Sequence, residues 1–217
     1  MTIAAASLTA SRILWYFADP MCSWCWGFAP VISAIKAAYA DRLKVALLLG
    51  GLRPGTTEPM TAALRREILH HWHEVQRRTG QPFTFEDAMP EGFVYDTEPP
   101  SRAVAAVAEI NPEETFPYFK TVQAAFYVHR QDVTQSQTLA ALAESHHILT
   151  SQFLERFHAA DVKAKTRMHF QQTRQAGVRG FPTVLLQDAS GSTLLTHGYR
   201  PFDELRPEID AWLARSV

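Results

Sequence analysis

The chain has 217 residues, 47 % of them hydrophobic, with 21 basic and 22 acidic side chains and a formal net charge of −1 at pH 7. That length fits one large domain or one and a half around an ordinary core, and so balanced a charge offers nothing to a nucleic acid or an anionic membrane. No run reaches the length of a membrane span, and Met1 to Ser11 lacks both a basic residue and a sustained apolar stretch of the secretory kind; proteins or small molecules are the expected partners and the cytoplasm the expected compartment.

Ile13 to Ala18 reads as a buried strand of β-formers, stopped by Asp19 and Pro20. The chain's two cysteines follow at once, in Cys22-Ser23-Trp24-Cys25, at the start of a helix expected over about Cys22 to Tyr39. A first helical turn offers free N–H groups and the positive end of the dipole to the Cys22 sulfur, a setting that favours the thiolate. Cys25, one turn on, is placed to resolve a mixed disulfide and to be the more deeply buried thiol. A mere staple is a weak alternative, since closing so short a loop stabilises by only roughly 2 kcal/mol. Half of a zinc site is the other, and with no second cysteine pair it needs histidines to complete it. Pro30 lies inside the helix and takes the N–H partner from the Trp26 carbonyl, so a kink is expected there.

Lys44 to Leu49 is a second strand, expected to be buried on both faces, which completes a β-α-β unit. The loop Gly50-Gly51-Leu52-Arg53-Pro54-Gly55 has the spacing of neither a Walker loop nor a dinucleotide fingerprint. A tight turn passing near the cysteines is the better reading.

From about Thr57 to Val162 the apolar period is helical. Helices are expected from Thr57–Pro59 to Gly80, over Ser101–Ile110, Glu113–Val128 (with Phe116, Phe119 and Phe126 inward), Gln135–His146 and Ser151–Ala159, with a loop from Pro82 to Pro99. A further helix runs to Gly177. Strands follow from Pro182 and over Thr193–His197, then a helix over Phe202–Leu213 with Leu205, Ile209 and Trp212 on one face. The expected fold is therefore α/β, a thioredoxin-like domain in two pieces, 12–56 and 164–217, with a helical domain, 57–163, inserted between them.

His70 and His73 share a helix face and could hold a metal, but no carboxylate or cysteine stands at ligand spacing and no metal is expected. Trp72, Phe116, Phe119, Phe126, Phe153 and Phe157 read as core. Trp24 and Trp26, within and just after the cysteine pair, are candidates for an apolar substrate surface.

Cys22-Ser23-Trp24-Cys25-Trp26-Gly27-Phe28, Gly50-Gly51-Leu52-Arg53, Thr97-Glu98-Pro99, Arg130-Gln131-Asp132 and Gly177-Val178-Arg179-Gly180-Phe181-Pro182-Thr183 together resemble the cytoplasmic branch of the DsbA family, described as protein-disulfide isomerases. The resemblance implies that Cys22 is the nucleophile, Cys25 the resolving thiol, and Phe181-Pro182 a cis peptide beside them; residue physics alone favours an ordinary trans proline. Phe181 and Pro182 are expected to bind substrate, their backbone being placed to pair with an extended chain. It implies a thiol–disulfide oxidoreductase or isomerase acting on protein or small-molecule thiols, with the dithiol itself as redox group, no other cofactor, and glutathione as a co-substrate. No histidine stands between the cysteines and no cationic side chain lies between Arg12 and Lys36, so a milder couple than that of the periplasmic oxidants is expected. The alternatives are a glutathione-dependent transferase or isomerase of the kappa or 2-hydroxychromene-2-carboxylate isomerase type, and a non-catalytic client-binding protein.

Overall fold

A computed structural model describes residues 12–215; the reading of Met1–Ser11 given above falls outside them. The elements in chain order are β1 (Ile13–Ala18), α1 (Ser23–Tyr39), β2 (Lys44–Leu49), α2 (Ala62–Thr79), α3 (Glu98–Ile110), a 3-10 turn (Pro112–Glu114), α4 (Thr115–Tyr127), α5 (Ser136–Glu144), α6 (Thr150–His158), α7 (Ala160–Gln175), β3 (Thr183–Asp188), β4 (Gly191–His197) and α8 (Phe202–Leu213). The four strands form one sheet in the order β2-β1-β3-β4, with β1 and β2 parallel and the other neighbours antiparallel. Every strand comes from outside residues 57–163.

β1 is central, and Leu14 and Tyr16 are fully enclosed. β2 is an edge strand, and the expected burial on both its faces does not hold: Lys44 is exposed, the next four residues are half-buried and only Leu49 is covered. A run of apolar residues shows that a strand is apolar but not which of its edges finds a neighbour. α7 covers the end of β2, where the Thr173 hydroxyl donates to the Leu49 carbonyl at 3.2 Å.

Several helix ends differ from the expected ones for local reasons. α2 starts at Ala62 because Thr61 caps it, its hydroxyl accepting from the Leu64 N–H at 3.2 Å; it stops at Gly80, which has φ 74°. α3 starts at Glu98 rather than Ser101, since prolines 99 and 100 lie in the first turn, where no N–H partner is needed. Phe116 is half-buried while Phe119 and Phe126 point inward.

α1 runs through Pro30 as one uninterrupted helix. The Trp26 carbonyl, denied a helical partner by Pro30, accepts instead from the Gln81 amide at 2.8 Å, so the chain just past α2 caps a gap in α1. The two helices meet at Gly27. A Cβ there would lie 2.8 Å from Val75 Cγ1 and 2.9 Å from Thr79 Cγ2. Neither can swing aside easily: Val75 is fully buried, and the Thr79 hydroxyl donates to the Val75 carbonyl at 2.8 Å while accepting from the Gln81 N–H at 3.2 Å.

Gly27→Ala should therefore destabilise the protein by about 1–3 kcal/mol in urea unfolding through overpacking, even though alanine is the better helix former by about 1 kcal/mol. An unchanged or raised unfolding midpoint would show that α2 can retreat freely from α1.

Candidate active site

β1 ends at Ala18, and the turn that begins at Asp19 delivers Cys22 to the start of α1, its N–H donating to the Asp19 carbonyl at 3.1 Å. Cys22 is the N-cap residue, with φ −91° and ψ 115° and no capping side chain. The first-turn N–H groups have no carbonyl four residues back to bind, which leaves them available to a charge on the sulfur. Both cysteines are free thiols. Cys25 has no exposed surface, and even Cys22 is only 7 % exposed, less open than its place at a helix start implied.

The covering over Cys22 comes from the far end of the sequence. Its thiol donates to the Phe181 carbonyl at 3.5 Å, and the Phe181-Pro182 peptide is cis. This loop is held by the Thr183 hydroxyl, which donates to the Gly180 carbonyl at 2.8 Å and meets His197 Nδ1 at 2.9 Å. The Phe181 ring lies on Gly50, where a Cβ would stand 2.3 Å from the ring carbon Cζ. The glycine turn after β2 thus gives the aromatic ring its seat, a closer role than a passing turn.

A cavity of about 260 Å3 opens beside the sulfur, lined among others by Cys22, Trp24, Arg53, Glu67, His71 and Phe181. Trp24 forms part of its wall, with the Arg78 guanidinium 5.8 Å from the ring centre. Trp26 does not, and its expected place on a substrate surface is corrected: it is buried, stacked on Tyr127 with ring centres 6.2 Å apart, its indole N–H donating to the Pro82 carbonyl at 2.9 Å. Its cover comes from α4 and from the chain after α2, which no pattern within α1 foretells. The histidines of α2 are also spoken for: His70 and His71 approach Glu74 at 3.8 and 3.4 Å, and His73 stacks on Phe85. Among the described residues no group of three or more metal-ligating side chains comes together.

Beneath the dithiol lies a polar layer that sequence reasoning largely missed. Asp19 is fully buried, and its carboxylate accepts from the Met21 N–H at 2.9 Å and the Leu52 N–H at 2.8 Å. Burial raises its pKa to about 6 against the opposing pull of those two N–H groups and the Thr97 hydroxyl. Cys25 is pushed well above the ordinary thiol range, first by burial and then by the Cys22 thiol beside it. Tyr16, Tyr95 and Tyr127 are raised by burial too, and each feels the charge of the cysteines; the Tyr95 hydroxyl donates to the Met21 carbonyl. Tyr16 had a signal, since it alternates with Leu14 and Ala18 along β1. Arg53 had one in the glycine turn after β2; Glu67, His71 and Tyr95 had none, because they reach the site only through the folding of other elements.

The buried carboxyl sets a pH dependence with a definite sign. A folded pKa of about 6 against an ordinary 3.8 means that the folded state binds the proton more tightly, so stability from this group is fully present near pH 4 and is lost as pH rises through about 6. The loss is up to about 3 kcal/mol. Asp19→Asn, compared with the parent protein in urea unfolding at pH 4 and pH 7, should gain relative stability by about that amount between the two; a difference that does not change with pH would show the carboxyl to be unshifted.

A family model described as a DSBA-like thioredoxin domain matches residues 13–210. A crystal structure from Nitrosomonas europaea, provisionally assigned as a protein disulfide isomerase, is 47 % identical, with a TM-score of 0.89 over 94 % of this chain and 98 % of that one. The cytosolic disulfide reductase DsbM from Pseudomonas aeruginosa is 26 % identical, with a TM-score of 0.76 over 93 % and 98 % of the two chains, and it is also known in a structure with GSH. The ClpXP adapter protein SpxH of Halalkalibacterium halodurans is 21 % identical over 79 % of this chain, which spans 57 % of that relative's length. With a match running from β1 into α8 around an intact pair of cysteines, the chain belongs to the family of DSBA-like thioredoxin domains.

Proposed function

We propose that this protein is a thiol–disulfide oxidoreductase working through the Cys22–Cys25 dithiol, and that it runs as a reductase of protein or small-molecule disulfides in the cytoplasm. The observation that carries the reading is the unequal placement of two free thiols one helical turn apart: Cys22 at the N-cap beside an open cavity, Cys25 sealed behind it.

In the reducing direction the Cys22 thiolate attacks one sulfur of the substrate disulfide. The substrate S–S bond breaks, its other sulfur leaves as a thiolate, and a Cys22–substrate disulfide forms. Cys25 then gives up its proton and attacks the Cys22 sulfur; the second substrate thiolate leaves and the protein holds the intramolecular disulfide. Two electrons have passed from the dithiol to the substrate, whose thiolates take protons from water. Because burial raises the Cys25 pKa, its deprotonation needs a base. Asp19, with a pKa of about 6, is ionised at neutral pH and shares the buried layer. The first-turn N–H groups stabilise the charge on Cys22, and Trp24 and the Phe181 backbone bound the place where an extended substrate lies.

No resident cofactor is required, since the dithiol carries the electrons. Glutathione suits the role of co-substrate: the cavity beside Cys22 holds Arg53 and Glu67, which match the carboxylates and ammonium of a small zwitterionic thiol, and a relative 27 % identical is known with GSH. Cytosolic working is supported by the description of that relative, and no helix among the described residues is long and apolar enough to cross a membrane. A binding role without turnover is a second reading, favoured by the relatives described as adapter proteins.

Iodoacetamide at neutral pH should alkylate Cys22 before Cys25. Cys25→Ser should accumulate mixed disulfides with substrate or glutathione, and Cys22→Ser should reduce insulin no faster than buffer. Alkylation of Cys25 first, or full activity in Cys22→Ser, would reverse the assigned roles. Glutathione-dependent activity persisting with both cysteines replaced would instead identify a transferase, and client binding with no turnover in the intact protein an adapter.

A further inference from the structure

Tyr16 lies on the central strand ahead of Cys22, outside the proton and sulfur transfers assigned to Asp19 and the two cysteines. Its ring is fixed on every side. It has no exposed surface, stacks on Phe28 with ring centres 5.7 Å apart and meets Phe119 edge to face at 6.3 Å, while its backbone stands in register with Leu47 on one side and Val184 on the other. Phe28 comes three residues after Cys25, so the two share a face of α1, and the Tyr16 hydroxyl comes up to the Cys25 thiol.

In the dithiol that hydroxyl is an orphan. It is buried and has no partner of full hydrogen-bond geometry among the described residues, although buried polar side-chain atoms are nearly always satisfied and an unsatisfied one lowers stability. The neighbouring Cys25 does not supply the missing bond, because the sulfur of a neutral thiol is a weak acceptor and its own S–H is directed at the Cys22 sulfur. Only as an anion does the sulfur become a strong acceptor. Burial pushes the phenol pKa well above its ordinary value, so the hydroxyl keeps its proton and remains a donor. A donor held in place in a dry site before charge arrives stabilises that charge more than one that must first turn toward it.

We infer that the Tyr16 hydroxyl is a catalytic group of the resolving step, donating a hydrogen bond to the Cys25 sulfur as that sulfur becomes negative. The inference rests on the redox reading of the dithiol. In this step the Cys25 S–H bond breaks and its proton passes to Asp19; the sulfur attacks Cys22, the Cys22–Cys25 bond forms, the Cys22–substrate bond breaks, and the electron pair departs on the substrate sulfur. The negative charge begins on Cys25 and ends on the substrate, and the phenol stands where it begins. In the reverse direction a substrate thiolate attacks Cys22 of the disulfide and Cys25 is the leaving group, which the same donor receives. The first attack by Cys22 places no charge on Cys25, and Tyr16 takes no part in it.

The test is stopped-flow reaction of the reduced full chain with one equivalent of dithiodipyridine, an aromatic disulfide whose freed thione is read by absorbance. One thione is released when Cys22 attacks the probe and a second when Cys25 displaces it from Cys22. Tyr16→Phe, which removes one oxygen and keeps the ring, should slow the second release about tenfold, as expected for a lost hydrogen bond to a charged group, and leave the first within about twofold. The unfolding midpoint of its dithiol form should stay level or rise, since the atom removed is an unsatisfied one. A lowered midpoint with both releases slowed alike would make Tyr16 a packing residue and overturn the inference. A second release as fast as in the parent, or a slowing of the first alone, would overturn it equally. A parent protein that frees the first thione and never the second would refute the redox reading itself, and the Tyr16 role with it.

Discussion

One buried carboxylate gathers the parts of the redox site. Asp19 has no exposed surface, and its two oxygens take the N–H groups of Met21, ahead of α1, and of Leu52, in the turn after β2. Thr97, at the start of α3, binds it as well and accepts the Arg53 N–H at 3.0 Å. Three stretches far apart in sequence are thus tied to one side chain at the end of the central strand. A carboxylate out of water is tolerated only when its lone pairs are filled, so the arrangement holds as a set: each N–H that converges on Asp19 positions a segment, and each segment forms a wall around the sulfurs.

The helices between β2 and β3 give this site its lid and its dielectric. Trp72 of α2 packs within an aromatic cluster of Phe83, Phe85, Phe126 and Tyr127, with ring centres 5.0 to 6.3 Å apart, and Trp26 is stacked on its Tyr127. Such contacts stabilise beyond the apolar area they bury, and they keep water from Cys25. The sheet places the thiols, and the helical layer makes the surroundings of Cys25 dry enough to push its pKa up.

Much of this was legible in the sequence. The cysteine spacing after a β-rich run, the helical period between two β-containing ends, and α8 from Phe202 to Leu213 all follow from local patterns, and the structure has them. Residues whose roles depend on a partner were not legible. Trp26 looks like a surface aromatic by its nearness to the cysteines, but Tyr127 of α4 and the chain at Pro82 close over it and bury it. β2 has the composition of a central strand and lies at an edge, because pairing is decided by where β3 inserts. Asp19 was visible only as a residue that stops β1, since the partner that ties it to the site, the Leu52 N–H, is 33 residues away. The Phe181-Pro182 loop was found through resemblance, there being no local pattern that places a loop from the far end of the chain on Cys22.

That loop stands 159 residues from the sulfur it covers. On a ribosome adding about 5–20 residues per second, the thiols emerge roughly 8 to 30 s before their cover. Over that interval β1 and β2 exist without β3, and the edge of β1 destined for β3 is an open template for other strands. The newborn protein therefore carries its two thiols before it carries the loop that covers Cys22, and a nascent chain held in a reducing compartment or shielded by a chaperone keeps them unreacted until that cover is in place.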